Sequence, residues 1–103
     1  MTKVRHVVLV KFPDDITKED QERFIKKATW GKGAAYVSGF ASGFGVDPNP
    51  WADSSEAWDW ALTLDVDEVD VAKHATDPVH TAAGEAIAHI AERYAILDFI
   101  IEE

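Results

Sequence analysis

Three histidines carry the side chains most suited to chemistry at neutral pH in this sequence. His74 and His80 flank an Asp-Pro step in the stretch HATDPVH, and His6 lies in an apolar run near the N-terminus. An imidazole can accept or donate a proton near pH 7, so all three are candidates for general acid and base catalysis. The fourth histidine, His89, falls on the outer side of a predicted helix between an acidic and a basic neighbour, and we assign it no role.

His80 is the candidate base. The Asp77-Pro78 step predicts a helix start, since the aspartate accepts free backbone N–H groups and proline needs no donor in the first turn. In that turn the helix dipole favours a neutral imidazole, whereas the Asp77 carboxylate favours the cation. Gly84 leaves space for a cavity beside the ring. His80 therefore either lines a pocket or is a structural histidine held by a hydrogen bond.

The other two histidines also allow two interpretations each. His6 shares the apolar face of a first strand with Val8 and Val10, and a polar ring there needs a partner. It is either a satisfied core histidine or part of a site. His74 lies near the end of a short predicted helix, where it is either solvated or part of the same site.

A zinc site formed by His6, His74 and His80 is a further interpretation, because three imidazoles can supply an open catalytic site. Their spacing matches no helical His-x3-His pair, so no metal is predicted. The lack of cysteine excludes thiolate catalysis and thiolate metal sites. The sequence contains no phosphate-binding glycine loop or dinucleotide fingerprint.

The composition is typical of one packed domain over residues 1–103. Hydrophobic residues make up 47% of the chain and aromatic residues 11%. The net charge of −9 disfavours nucleic acid and anionic membrane surfaces as partners. The N-terminal apolar run is too short for a signal peptide or a membrane span, so a cytoplasmic location is expected.

Hydrophobic periodicity predicts strands and helices that would position these histidines. The predicted strands are Val4 to Phe12, Tyr36 to Val46 with a bend at Gly39 or Gly43, Trp58 to Val66, and Ala95 onward. A helix capped by Thr17 follows the first strand, and DEVDVAKHA forms a short helix after the third. The helix from Asp77-Pro78 is predicted to bury Val79, Ala83, Ala86 or Ile87, Ile90 and Tyr94. The stretch DPNPWADSSE is predicted to be a surface loop.

The order β-α-β-β-α-β predicts an α+β, ferredoxin-like fold: an antiparallel four-stranded sheet with its helices on one face. The other face is expected to mix Val7, Leu9 and Ile96 with the charged Arg5 and Asp98. Such a face is too apolar for water, so we expect a homodimer that pairs sheet against sheet.

Four stretches in this order resemble the stress-responsive α/β-barrel (Dabb) family: RHVVLVKF (5 to 12), SGFASGFGVD (38 to 47), LTLDVDEVDVAKHATDPVH (62 to 80) and LDF (97 to 99). Together they span nearly the whole chain. The resemblance implies a ferredoxin-like dimeric α/β barrel. Most members look like stress-associated or uncharacterised proteins, and a minority, typified by olivetolic acid cyclase, close a polyketide ring without cofactor or metal.

The cyclase-like pattern uses a first-strand histidine, a tyrosine, and a histidine shortly after proline, around a pocket between sheet and helices. By position these fall on His6, on His74 in place of the tyrosine, and on His80. The remaining residues expected to line the pocket are Phe24, Ala28, Trp60 and Ile87.

The activity expected from this resemblance needs no cofactor. His80 would remove a proton from carbon next to a carbonyl of a small apolar or aromatic ligand, and His74 or His6 would donate to the enolate oxygen, for ring closure or lyase chemistry. One alternative is a non-catalytic stress-response or ligand-binding protein with its pocket packed shut. Another, by fold analogy, is a haem-degrading or cofactor-free monooxygenase.

Overall fold

A four-stranded antiparallel sheet with helices on one face forms the framework of the protein. The computed structural model describes residues 2–51 and 58–102. Its elements are β1 (Lys3–Lys11), α1 (Lys18–Ala28), β2 (Val37–Phe44), β3 (Trp60–Asp67), α2 (Val71–Thr76), α3 (Pro78–Ile90) and β4 (Arg93–Ile100). Short 3₁₀ turns at Trp30–Gly33 and Glu68–Asp70 follow α1 and precede α2. The strand order β2-β3-β1-β4 confirms the ferredoxin-like prediction.

The helix-facing side of β1 carries the core and the first candidate histidine. Val4, His6, Val8 and Val10 are buried, while the residues between them are only partly buried. β3 repeats this alternation beside β1, with His6 directly opposite Leu64. Because side chains alternate between the faces of a strand, the sequence of β1 by itself directs His6 toward the helices.

The register of β4 reverses the two faces predicted for that strand. Ile96, Asp98 and Ile100 lie opposite Val8, His6 and Val4 of β1. Residues directly opposite each other share a face, so Asp98 lies on the helix side of the sheet, and Leu97 and Phe99 lie on the outer side. Arg5 pairs with Asp65 of β3, its Nε 2.8 Å from Oδ1. Both faces of β4 carry apolar residues, so the sequence pattern did not show which face of the strand packs against the helices.

Side-chain caps begin α1 and α3 where the sequence places them. The Thr17 hydroxyl accepts a hydrogen bond from the backbone N–H of Asp20 at 3.0 Å. Asp77 Oδ1 accepts one from the N–H of Val79 at 2.8 Å, with Pro78 in the first turn. These bonds use backbone donors that a helix start otherwise leaves unpaired, which explains why both helices begin at these residues.

The buried side of α3 is narrower than expected. Ala83 and Ile87 are buried. The prediction for Val79 is wrong, because its side chain is 55% exposed, and Tyr94 lies in β4 rather than in the helix. The helix ends at Ile90, so the helical spacing that placed Tyr94 on its buried side does not apply beyond that residue.

Gly39 provides the bend in β2. Its φ is +57°, and the pairing of β2 with β3 shifts between Ser38 and Ala41. Trp58 precedes β3 instead of belonging to it. Residues 47–51 of the predicted loop DPNPWADSSE are mostly exposed, and the rest of that loop lies outside the described residues. Among the described helices, none is long and apolar enough to cross a membrane.

Candidate active site

Three histidines from distant parts of the sequence meet on the helix side of the sheet. The ring centroids of His74 and His80 are 4.0 Å apart. The His6 ring lies 5.0 Å from His74 and 5.9 Å from His80, edge-on to both. β1, α2 and the first turn of α3 each supply one of these rings. The fold therefore brings together the three residues that the sequence singled out, which we call the histidine cluster.

Asp98 holds the His6 side of the cluster. The Nδ1 atom of His6 is 2.5 Å from Oδ1 of Asp98, its direct cross-strand partner. An ionised carboxylate only accepts hydrogen bonds, so Nδ1 carries a proton and donates it. In neutral His6 the other ring nitrogen, Nε2, is then an acceptor.

His74 and His80 contribute nitrogens without hydrogen-bond partners. Within the described residues, neither ring nitrogen of His74 has a partner, nor does Nδ1 of His80, although all three atoms are buried. Burial, together with the neighbouring His80 and His6, lowers the pKa of His74 to about 4. Burial and His6 likewise lower the pKa of His80. Buried polar atoms are normally paired, so unpaired imidazoles in this cluster mark a candidate site.

Two aromatic side chains border the cluster, and the sequence did not indicate either of them as part of the site. The Trp30 ring stacks on His74 with centroids 5.5 Å apart and lies at the same distance from His80. Tyr36 meets His74 edge-on at 6.1 Å. Trp30 lies in the 3₁₀ turn after α1, and Tyr36 lies just before β2, where the sequence pattern did not direct either side chain toward the histidines. Only the packing of this connection against α2 and α3 brings them to the histidines.

Asp77 links the start of α3 to Tyr36. The Tyr36 hydroxyl donates to Asp77 Oδ2 at 2.7 Å. Burial, followed by this hydrogen bond, raises the pKa of Tyr36 to about 12. The same bond, with the N–H of Val79, lowers the pKa of Asp77. Asp77 is therefore an ionised anchor that fixes the turn carrying His80, in addition to its predicted role as a helix cap.

The residues predicted to contact a ligand are placed in the packed core. Phe24, Ala28, Trp60 and Ile87 are all buried, and the rings of Phe24 and Trp60 meet edge-on at 5.6 Å. Phe24 also borders a groove of about 390 Å³ between α1 and α3. Their contact with a ligand stays a prediction.

The cluster also has the donor atoms for a metal ion. One ligand nitrogen from each of His6, His74 and His80 can be chosen so that all three lie within 4.8 Å of one another. A tetrahedral zinc ion would hold two such nitrogens roughly 3.4 Å apart, and a carboxylate behind one imidazole is a common support for it. The same unpaired nitrogens suit proton transfer without a metal, so the expected absence of a metal stays a prediction.

Comparisons with solved structures agree with this fold. A dimeric ferredoxin-like protein of unknown function from Bacteroides fragilis is 27% identical, with a TM-score of 0.69 over 96% of each chain. Hydroxynitrile lyase from Passiflora edulis is 16% identical, with a TM-score of 0.82 over 98% of this chain and 94% of that one. SnoaB, a cofactor-independent oxygenase from Streptomyces nogalater, is 10% identical, with a TM-score of 0.70 over 98% and 94%.

Comparison of the amino-acid sequence with known families shows the family to which this chain belongs. No significant match was found among curated proteins. Residues 4–101 match the family of the stress responsive A/B barrel domain, Dabb, which covers the strand of His6, the helices of His74 and His80, and the strand of Asp98. The chain therefore belongs to the Dabb family.

Proposed function

We propose that this chain catalyses proton transfer without a cofactor, at a carbon next to a carbonyl group. The observation that carries the proposal is the meeting of three imidazoles, two of which, His74 and His80, have buried nitrogens without hydrogen-bond partners. The hydroxynitrile lyase and the cofactor-independent oxygenase with similar folds support cofactor-free chemistry on this framework.

His80 is the base in this mechanism. It is the least buried residue of the histidine cluster, and its lowered pKa keeps it neutral near pH 7. It takes a proton from the substrate carbon, and the electrons of the broken C–H bond form the enolate. The enolate carbon then attacks a second carbonyl to close a ring, or the reverse sequence cleaves a carbon–carbon bond.

His74 is the donor to the enolate oxygen. With a pKa of about 4 it is neutral near pH 7, so one of its unpaired ring nitrogens carries a hydrogen available for donation. Neutral His6 has no such hydrogen free, because its Nδ1–H is used by Asp98. The negative charge of Asp98 instead stabilises the positive charge that the cluster carries once His80 has taken a proton.

A non-catalytic ligand-binding protein is the second candidate. Phe24, Ala28, Trp60 and Ile87 fill the space between sheet and helices as core residues, which favours a packed interior over an open pocket. Turnover separates the two candidates, because a binding protein consumes no substrate.

We also propose that the protein is a homodimer formed through the outer sheet face. Leu97 and Phe99 are 61% and 40% exposed on that face, and similar structures are described as dimeric. Apolar side chains exposed together in this way are typical of an interface.

A substrate panel tests the catalytic proposal. Linear poly-β-ketone compounds, for ring closure, and β-hydroxy ketones, for carbon–carbon cleavage, would be offered to the protein, with product formation and oxygen uptake recorded. Replacement His80→Gln should lower turnover at least a hundred-fold, whereas His89→Gln, on the exposed side of α3, should leave it unchanged. Equal turnover by the wild type and His80→Gln would overturn the assignment of the base.

A further inference from the structure

We propose that a groove between α1 and α3 binds small amphipathic anions: molecules with an apolar or aromatic body and one carboxylate. The groove encloses about 550 Å³, within the usual range for small-molecule sites. It is lined by Arg23, Lys26 and Lys27 of α1, by Val79, Ala82 and Ala83 of α3, and by Trp30. The part of this inference that concerns the substrate class rests on the proposed function.

The charge of the groove is opposite to that of the chain. The sequence carries nineteen acidic and ten basic residues, yet every charged residue lining this groove is a cation. Arg23 is paired with Glu19 at 2.8 Å and with Asp20 at 3.5 Å. Lys26 and Lys27 form no ion pair with any residue in the described part of the chain. The two unpaired ammonium groups attract an anion to this end of an otherwise acidic molecule.

The opposite wall of the groove is apolar. Val79 is 55% exposed, and its side chain faces the groove beside Ala82 and Ala83. The Trp30 ring adds a flat aromatic surface. A ligand that satisfies both walls needs an apolar body against α3 and an anionic group toward α1. A bare inorganic anion would leave the apolar wall unused, and a neutral apolar molecule would leave the lysines unused.

Trp30 connects this groove to the histidine cluster. Its ring borders the groove and also lies 5.5 Å from both His74 and His80. Val79 of the groove wall is adjacent in sequence to His80. A ligand held in the groove therefore lies beside an indole that also packs against the imidazoles. The substrate class inferred is a carbonyl compound that carries a carboxylate away from its reacting carbon.

Calorimetric titration of the full chain with matched probes tests this site. We expect 2-naphthoate to bind at least ten-fold more tightly than 2-naphthamide, which has the same body without the charge. The double variant Lys26→Gln/Lys27→Gln should weaken 2-naphthoate at least ten-fold and leave 2-naphthamide unchanged. Lys18→Gln, at the exposed start of the same helix and outside the groove, should change neither affinity.

A second variant tests the apolar wall. Val79→Asp places a negative charge on an exposed position in the first turn of α3, where the helix tolerates it, and should weaken 2-naphthoate more than 2-naphthamide. 2-Naphthyl phosphate, with the same apolar body, distinguishes the anionic group: binding tighter than that of 2-naphthoate would overturn the choice of carboxylate. The absence of 2-naphthoate binding, or equal loss in Lys18→Gln and the double variant, would overturn the site.

These experiments can reject the groove and the catalytic proposal independently of each other. His80→Gln should retain wild-type affinity for 2-naphthoate, because His80 does not line the groove. Lysine-dependent binding together with unchanged turnover in His80→Gln would reject the proposed base and support the groove. Loss of turnover in His80→Gln, with 2-naphthoate and 2-naphthamide bound equally by the wild type, would support His80 as the base and reject the groove as an anion site.

Discussion

Asp98 and His6 face each other across the β1–β4 pair, and the Oδ1 atom of Asp98 lies 2.5 Å from Nδ1 of His6. The pairing fixes which nitrogen of His6 carries the proton and makes the other nitrogen of the neutral ring a hydrogen-bond acceptor. A carboxylate behind an imidazole is also how hydrolytic triads orient their histidine. The edge strand of the sheet thus supplies a positioning residue for a cluster that the helices complete.

Asp98→Asn should therefore reduce turnover through His6. The amide keeps the shape of the side chain but removes the charge that supports a proton on the cluster. We expect kcat to fall by about ten- to a hundred-fold with a smaller change in KM. Steady-state kinetics measures both, and Glu85→Gln on the exposed face of α3 is the control. Unchanged kcat would contradict the positioning role, even if the variant melted at a lower temperature.

His74 should make the stability of the protein depend on pH. Its pKa is about 4 in the folded chain, against 6.5 as its ordinary value, so between these pH values the unfolded chain binds a proton that the folded chain does not. The free energy of unfolding should thus fall as pH decreases from 6.5 to 4, by about 3 kcal/mol from this residue. The loss is complete below pH 4.

Urea unfolding at several pH values measures this contribution. In His74→Leu the free energy of unfolding should depend less steeply on pH over this interval, whereas His89→Gln should retain the wild-type slope because His89 is exposed. Identical slopes for the wild type and His74→Leu would show that His74 is not held neutral in the folded protein.

Gly39 should tolerate alanine poorly. Its φ of +57° is costly for other residues, and a Cβ there would lie 2.9 Å from Oδ2 of Asp65, the partner of Arg5. We expect Gly39→Ala to lower the free energy of unfolding by about 1–2 kcal/mol. Gly43→Ala is the matched control, because a Cβ at Gly43 has no neighbour within 4 Å among the described residues. Equal denaturation midpoints for the two variants would contradict the strain assigned to Gly39.

The outer sheet face should control the oligomeric state. Leu97→Asp places a charge on the sheet face proposed as the interface, so we expect the dimer to dissociate at least ten-fold more readily. Sedimentation velocity over a concentration series measures this. Val69→Asp replaces an exposed apolar residue outside the sheet and should leave the dimer intact. A wild-type chain that sediments as a monomer would reject the interface.

Treatment with EDTA should leave turnover unchanged, because the transfer of a proton from a substrate carbon to a neutral imidazole needs no metal ion. The measurement is the initial rate before and after chelation and dialysis. A loss of rate that zinc restores in the wild type but not in His74→Leu would instead support a metal site that includes His74.

The sequence by itself determined the local structure. Alternation in β1 directed His6 inward, Thr17 and the Asp77-Pro78 step began two helices, and the order of elements predicted the ferredoxin-like sheet. These features depend on period, caps and turn chemistry among near neighbours, which a sequence displays directly. The family resemblance, confirmed over residues 4–101, identified the fold in the same way.

The sequence singled out the three histidines, but tertiary structure alone decided which other side chains join them. The face of β4 depended on its register with β1, and the sequence pattern assigned it to the wrong side because both faces are apolar. Trp30 and Tyr36 reach the cluster only through the packing of the connection after α1. The unpaired nitrogens of His74 and their lowered pKa arise from burial against residues far away in the chain. Sequence spacing carries no record of such long-range contacts, because they are set by how the elements pack.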